Sequence, residues 1–171
     1  VTILKINRPK QLNALNRLTI DELNSALKEL KNDKSVKVII ITGEGDKSFV
    51  AGADIKEFAH YSIEEGKNLA KSGQNKLFDF VEQYPKPIIA AINGFALGGG
   101  LELAMACHFR LCSKNARMGL PEVSLGVIPG YGGTQRLTQV IGKGKELYLI
   151  TTAHMIDAKI ALEYKLVNYV V

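Results

Sequence analysis

Apolar and polar positions along the chain follow two rhythms. Residues 1–7 alternate, are rich in β-branched side chains and read as a strand, which Arg8-Pro9 breaks. Over residues 19–33 the period lengthens: Leu18, Leu23, Leu27 and Leu30 fall on one side, as in an amphipathic helix. Residues 36–42 (VKVIIIT) form a short β-branched run, the pattern of a strand buried on both faces. GEGDKSFVAGAD then reads as a glycine-containing loop. Residues 62–84 predict a long amphipathic helix capped by Ser62, with Glu64 and Glu65 in its first turn and Pro85 and Pro87 at its end. Residues 87–93 predict another buried strand, after which a glycine run opens a short helix. Further strands are expected at 109–113 and 166–171, and helices at 132–141, 145–152 and 157–164. Strands alternating with helices predict an α/β layer fold with mainly parallel pairing. No repeat, low-complexity tract or linker divides the chain, so one domain is expected.

Composition narrows the function. Apolar residues make up 46% of the 171, which excludes a disordered chain. The net charge of +5 suits a phosphate-bearing ligand. Dense Lys/Arg clusters with interleaved aromatics are absent, so no nucleic-acid partner is expected. The apolar span 88–107 has membrane length, but it holds Asn93, Glu102 and a glycine cluster and reads as a buried segment, with no membrane partner expected. Cys107 and Cys112 have only His108 nearby, too few ligands for zinc; two reduced thiols and no metal are expected. The chain opens at Val1 inside a strand-like run and closes in another. Both ends look cut, and a longer natural protein is expected.

Candidate chemistry is concentrated in INGFALGGGLELAMACHFRLCSKNARMGLPE, residues 92–122. A strand, a tight turn through Gly98, Gly99 and Gly100, and a helix place backbone N–H groups at the positive end of a helix dipole, where they can bind negative charge. The alternative is close packing of the turn. The spacing G-x-x-x-G-G-G is not the dinucleotide fingerprint, and no phosphate-binding G-x-x-x-x-G-K-S/T is present. Glu102 follows in the first helical turn among Leu101, Leu103, Ala104, Met105 and Ala106, a helix with little polar face. It is therefore expected to be buried or to line a cavity; the alternative is an exposed acid complementing the dipole. Glu122 follows Pro121, and its alternative is a loop carboxylate in solvent or paired with Arg117 or Arg136. Two glutamates in apolar surroundings are candidates for tuned acid and base work. The loop Ser48–Asp54, SFVAGAD, could supply a second N–H to an oxyanion hole; otherwise it is a surface turn. His60, His108 and His154 lie in unrelated contexts with no G-x-S-x-G, which disfavours Ser-His-Asp chemistry.

Taken together, these motifs resemble the enoyl-CoA hydratases of the crotonase superfamily. The match runs through NRPKQLNAL (7–15), IIITGEGDKSFVAGADIKE (39–57), KPIIAAINGFALGGGLELAMAC (86–107) and ARMGLPEVSLGVIPGYGGTQRL (116–137), and ends in IDAKIALEYKLVNYVV. The resemblance implies a crotonase-like ββα spiral of the ClpP/crotonase type over residues 1–171. It also implies trimers, often paired as hexamers. Carried over by motif, the oxyanion donors are the N–H groups of Ala53 and Gly99, and the catalytic carboxylates are Glu102 and Glu122. The resemblance assigns Glu102 mainly to water activation and Glu122 mainly to protonation of Cα. Coenzyme A contacts are expected from Ala51, Asp54, Ile55 and Lys56, with Arg8 and Lys10 toward the phosphates. The implied activity is reversible syn addition of water to a trans-2-enoyl-CoA. No cofactor is implied beyond the coenzyme A of the substrate. The expected location is the bacterial cytoplasm, or the mitochondrial matrix if a transit peptide was removed.

Two departures stand out: His108 where the family usually has Asp, and Lys165 where Gly is usual. The family's C-terminal helical segment, which joins subunits and covers the acyl pocket, is also expected to be missing. Enoyl-CoA isomerisation, or another acyl-CoA reaction of the superfamily, is the nearest alternative. A non-catalytic RNA-binding role on the same scaffold is the alternative of another class, disfavoured by the presence of both glutamates and the lack of a basic patch.

Overall fold

The computed structural model describes residues 1–171, with the side chain of Phe58 outside the description. One parallel sheet carries the order β1-β2-β4-β6-β9, formed by Thr2–Ile6 (β1), Ile39–Gly43 (β2), Ile88–Ile92 (β4), Phe109–Cys112 (β6) and Tyr169–Val170 (β9). Its register pairs Ile39 with Ile88 and Ile89 with Phe109. A second sheet has the order β3-β5-β7-β8, formed by Ser48–Ala51 (β3), Phe95–Leu97 (β5), Arg117–Gly119 (β7) and Ile156–Asp157 (β8). Only the β7–β8 pair is antiparallel among the described pairings.

The chain therefore spirals. A strand of the first sheet passes through a corner into a strand of the second, and a helix returns. β2 and β3 lead to Ile55–Phe58 (α2), Ile63–Gly73 (α3) and Asp79–Glu82 (α4); β4 and β5 lead to Gly99–Ala106 (α5). β6 and β7 lead to Gly133–Ile141 (α6) and Lys143–Thr152 (α7), and β8 leads to Ala158–Glu163 (α8). The first return is Arg17–Asn32 (α1). Corners are tied by asparagines: Asn93 Nδ2 donates to the Gly43 carbonyl at 2.9 Å and Asn13 Nδ2 to the Ser48 carbonyl at 2.8 Å.

Parallel pairing and the long helices agree with the hydrophobic pattern. Ser62 caps α3 in a reciprocal capping box with Glu65. Three readings need correction. The predicted helix 62–84 is interrupted by a π turn at Gln74–Phe78, which carries Leu77 and Phe78 into the core. The run 36–42 becomes a strand only from Ile39, and Ile40 and Thr42 remain half-buried, so it is not buried on both faces. The stretch read as a loop contains β3, and the second sheet as a whole escaped the pattern. Its strands have 2–4 residues, too short to show a period. The core lies between the two sheets and the returning helices, around Leu27, Ile41, Phe49, Phe78, Leu101, Leu103 and Met118.

Candidate active site

The glycine turn assigns a different task to each residue. Gly98 precedes α5 with φ 50° and ψ −124°, a conformation that a side chain strongly disfavours. Gly100 packs so closely on β3 that a Cβ would overlap the Val50 carbonyl oxygen. Close packing is thus correct for Gly100. Gly99 stands between them at the first helical position, and a Cβ built there would lie 3.7 Å from the backbone nitrogen of Ala53.

The chain reaches Ala53 through a single parallel bridge to Leu15. The Leu15 N–H donates to the Gly52 carbonyl at 2.9 Å, and the Asp54 N–H to the Leu15 carbonyl at 2.7 Å. This leaves the Ala53 N–H on the other edge of the segment. Among the described residues, neither the Ala53 nor the Gly99 N–H has a backbone acceptor. The backbones of two separate segments thus approach each other at Gly99 and Ala53.

Every residue of α5 is buried, and Glu102 is only 1% exposed. The exposed-acid alternative is therefore excluded. Burial pushes its carboxyl from the ordinary 4.5 up to about 7, and the nearby Glu122 carboxylate adds to the rise. Opposing this, Oε1 accepts from the N–H of Tyr131 at 2.8 Å and of Gly133 at 2.7 Å, and Arg136 contributes positive charge. Gly133 is required at that point, since a Cβ would come within 2.8 Å of the same oxygen.

Glu122 opens a short 3-10 turn, Glu122–Leu125. Burial raises its pKa, and its own backbone N–H partly offsets the rise. Its Oε2 is buried with no hydrogen-bond partner among the described residues, and Oε1 faces Gly98, where a Cβ would lie 2.7 Å away. The expected alternative pairings do not occur among the described residues. Arg136 Nη2 binds Asp79 at 3.1 Å and Glu82 at 2.7 Å, while Arg117 Nη1 donates to the Ala116 carbonyl at 3.2 Å. Glu122 thus lies against Gly98, whose carbonyl accepts the Glu102 N–H at 2.9 Å, and is near enough to raise the Glu102 carboxyl.

The remaining predicted positions spread around the Ala53 loop. Ala51 ends β3, Asp54 precedes α2, and Ile55 and Lys56 are exposed on α2. Lys10 is exposed in the turn Pro9–Gln11. Arg8 is engaged within the protein: Nη2 pairs with Asp54 Oδ2 at 2.8 Å and Nη1 donates to the Ala14 carbonyl. The sequence reading expected both Arg8 and Asp54 among the coenzyme A contacts, and here they pair with each other. His108 accepts the Ile88 N–H on Nδ1 at 3.0 Å, while His60 and His154 are exposed. Both cysteines are buried free thiols, with Cys107 pushed up to about 12 and Cys112 to about 11 by burial. Among the described residues no cluster of His, Cys, Asp and Glu could hold a metal ion, and no helix is long and apolar enough to cross a membrane.

Residue-by-residue reasoning missed the segment that holds Glu102. Tyr131 and Gly132 lead into α6, which Gly133 opens, and the Tyr131 ring stacks on Phe78 at 4.4 Å while its Cδ2 edge would lie 3.4 Å from a Cβ on Gly99. The available signal was the second glycine cluster, GYGG, at residues 130–133. Cavity size does not locate this site. A cavity of about 400 Å³ lies between α1 and α3, lined by Ile20, Tyr61, Leu69 and Gly73 among others, and neither glutamate reaches it.

Comparison with known proteins is decisive for the family. The enoyl-CoA hydratase/isomerase profile matches residues 1–171. The chain belongs to the enoyl-CoA hydratase/isomerase family. It is 52% identical over its whole length to a short-chain-enoyl-CoA hydratase of Clostridium acetobutylicum, and 50% to a crotonyl-CoA hydratase of Syntrophomonas wolfei. It spans about 65% of the length of those relatives. A crystal structure of an enoyl-CoA hydratase from Bacillus anthracis superposes with a TM-score of 0.93 at 44% identity, covering 99% of this chain and 66% of that one. The crotonase-like spiral expected from the motifs is the fold of this family member.

Proposed function

We propose that this family member is an enoyl-CoA hydratase that adds water reversibly to a trans-2-enoyl-CoA, giving the 3-hydroxyacyl-CoA. The observation that carries this reading is a buried Glu102 and a half-buried Glu122 with its Oε2 enclosed, neither ion-paired among the described residues, near two backbone N–H groups that have no backbone acceptor there. Water addition needs both halves. The thioester oxygen accepts from the Ala53 and Gly99 N–H groups, which draws electron density from Cβ. Glu102, its Oε1 held by Tyr131 and Gly133, takes a proton from water as the oxygen bonds to Cβ. The double-bond electrons move onto the thioester as an enolate. Glu122 then delivers a proton to Cα, and the carbonyl re-forms. A Glu102 carboxyl raised to about 7 suits proton transfer near neutral pH, because transfer is most effective when the group is matched to the working pH, and burial moves Glu122 in the same direction.

The loop Ala51–Lys56 is the proposed contact for coenzyme A, with Lys10 toward its phosphates. Arg8 acts there chiefly by fixing Asp54. Homotrimers, paired as hexamers, are the assembly proposed for the whole protein. The names of the curated relatives support short acyl chains as the first substrates to try.

Assay with crotonyl-CoA and, separately, with a 3-enoyl-CoA tests the reading. Hydration of the first to 3-hydroxybutyryl-CoA, lost in Glu122→Gln, is the expected result. Conversion of the second without hydration of the first would replace hydration by isomerisation.

A further inference from the structure

Arg136 spends its charge on the turn that holds Glu102. Its side chain is 5% exposed, yet its guanidinium does not reach either candidate catalytic carboxylate by a hydrogen bond. It folds back from α6 instead. Nη1 donates to the Tyr131 carbonyl at 2.6 Å, and Nη2 reaches Asp79 at 3.1 Å and Glu82 at 2.7 Å on α4. Among the described residues, Nε is buried without a partner. The clamped carbonyl lies along the backbone between the two N–H groups, of Tyr131 and of Gly133, that grip Glu102 Oε1. Gly132, with φ 82°, leaves room for the guanidinium beside it.

Burying a guanidinium costs several kcal/mol, and two carboxylates offset that cost only in part. A methionine or leucine would join α6 to α4 more simply. The arrangement is explained if the turn must be held in one orientation. Asp79 and Glu82 anchor the guanidinium, the guanidinium holds the Tyr131 carbonyl, and the flanking N–H groups then converge on one oxygen.

We propose that Arg136 is a positioning residue for Glu102, acting through the Tyr131 carbonyl and anchored by Asp79 and Glu82. The catalytic part of this inference rests on the proposed hydratase reading; the positioning part does not. Three groups facing Glu102 also set its charge state: Glu122 from the 3-10 turn, Arg136 from α6 and Tyr131 from the turn before it, with Asp79 and Glu82 behind Arg136 on α4. Loss of the guanidinium loosens two N–H donors and removes one positive charge, and both changes favour the protonated carboxyl.

The test is the titration of Glu102, followed by the 13C signal of its labelled side-chain carboxyl, in the parent protein, Arg136→Met, Arg136→Lys and Glu82→Gln. Arg136→Met is expected to move the midpoint to higher pH. Arg136→Lys should regain thermal stability but recover less than half of that displacement, because an ammonium cannot bridge the carbonyl and both carboxylates at once. Glu82 is half-exposed, so Glu82→Gln should fold and shift the midpoint in the same direction by a smaller amount. If the Met variant does not fold, the Lys and Gln variants decide. An unchanged midpoint in the folded variants overturns the proposal whatever the enzyme does. On crotonyl-CoA, Arg136→Met or Arg136→Lys should lower kcat at least 10-fold with KM within about 3-fold, and should have no further effect in a Glu102→Gln background. A displaced midpoint in a protein without hydratase activity would uphold the positioning role and reject the functional reading. A rate loss that persists undiminished in the Glu102→Gln background would overturn the route through Glu102.

Discussion

Gly133 and Glu102 are fitted to each other: the Gly133 N–H donates to Oε1 at 2.7 Å, and a Cβ on Gly133 would come within 2.8 Å of that oxygen and 3.0 Å of Glu102 Cγ. Gly133→Ala should therefore push the carboxylate away while leaving the proposed coenzyme A loop untouched. Overpacking of this kind costs roughly 1–3 kcal/mol of stability. The expected result is a folded protein with kcat for crotonyl-CoA down at least tenfold and KM little changed. Parent kcat would show that the fit has no functional role.

Gly99 offers a cleaner test of the oxyanion hole than its place in a glycine run suggests. It occupies the first position of α5, where proline is tolerated because its missing N–H has no helical acceptor. Gly99→Pro removes the proposed donor, and one such donor is worth about 10²–10³ in kcat. Circular dichroism confirms folding first; a folded variant hydrating crotonyl-CoA at the parent rate would eliminate Gly99 as a donor.

If Glu102 and Glu122 act on one water, their losses are not independent. Each Glu→Gln change should lower turnover by ~10²–10⁴, the usual scale of general acid–base catalysis. The double variant should lose less than the product of the two single losses, since the second change removes help from a step already disabled. A fully multiplicative loss, measured in single-turnover experiments, would separate the two roles.

Burial of Glu102 has a stability signature. Its carboxyl titrates at about 7 in the folded chain against the ordinary 4.5. Below pH 4.5 it is protonated folded and unfolded, and costs nothing. Between these values the unfolded chain ionises and the folded one does not, so stability falls as pH rises to about 7 and then levels off. The displacement corresponds to roughly 3 kcal/mol. Glu102→Gln should flatten this decline, which urea titrations at pH 5 and pH 8 would reveal. Equal pH dependence in both proteins would contradict a strongly raised Glu102.

Lys165 adopts φ 62°, in the left-handed region, where the family usually has Gly. The residue ends α8: its N–H donates to the Leu162 carbonyl at 2.9 Å, and the Leu166 N–H returns to Ala161 at 2.8 Å. A side chain costs about 1–2 kcal/mol in that conformation, and glycine's extra freedom when unfolded gives back about 0.4–1 kcal/mol. Lys165→Gly should raise Tm by about 2–4 °C, whereas Lys165→Val should lower it. A lower Tm for the glycine variant would mean that Lys165 makes contacts outweighing its strain.

The sequence alone marked the longer helices and the first sheet, because their segments are long enough to show a period: the Ser62 cap, the apolar stripe of α1 and the isoleucines of β2 and β4 were legible, whereas the short α2 and the π turn within 62–84 were not. It also marked the polar residues that burial would make unusual, since Glu102 sits in a helix with no polar face. Tertiary structure alone decided the second sheet. Its strands are too short for a pattern and form only because corners such as Asn93 bring them together. It decided how closely the backbone at Gly99 approaches Ala53, a juxtaposition of backbone segments that no side-chain pattern encodes. Most of all it decided what surrounds the carboxylates. Tyr131 and Gly133 reach Glu102 from 29 and 31 positions away. Arg136, which the sequence left free to pair with Glu122, turns instead to Asp79 and Glu82 because α4 packs beside it. Local periodicity follows from the covalent chain, whereas the partners of a buried charge follow from which distant segments close over it.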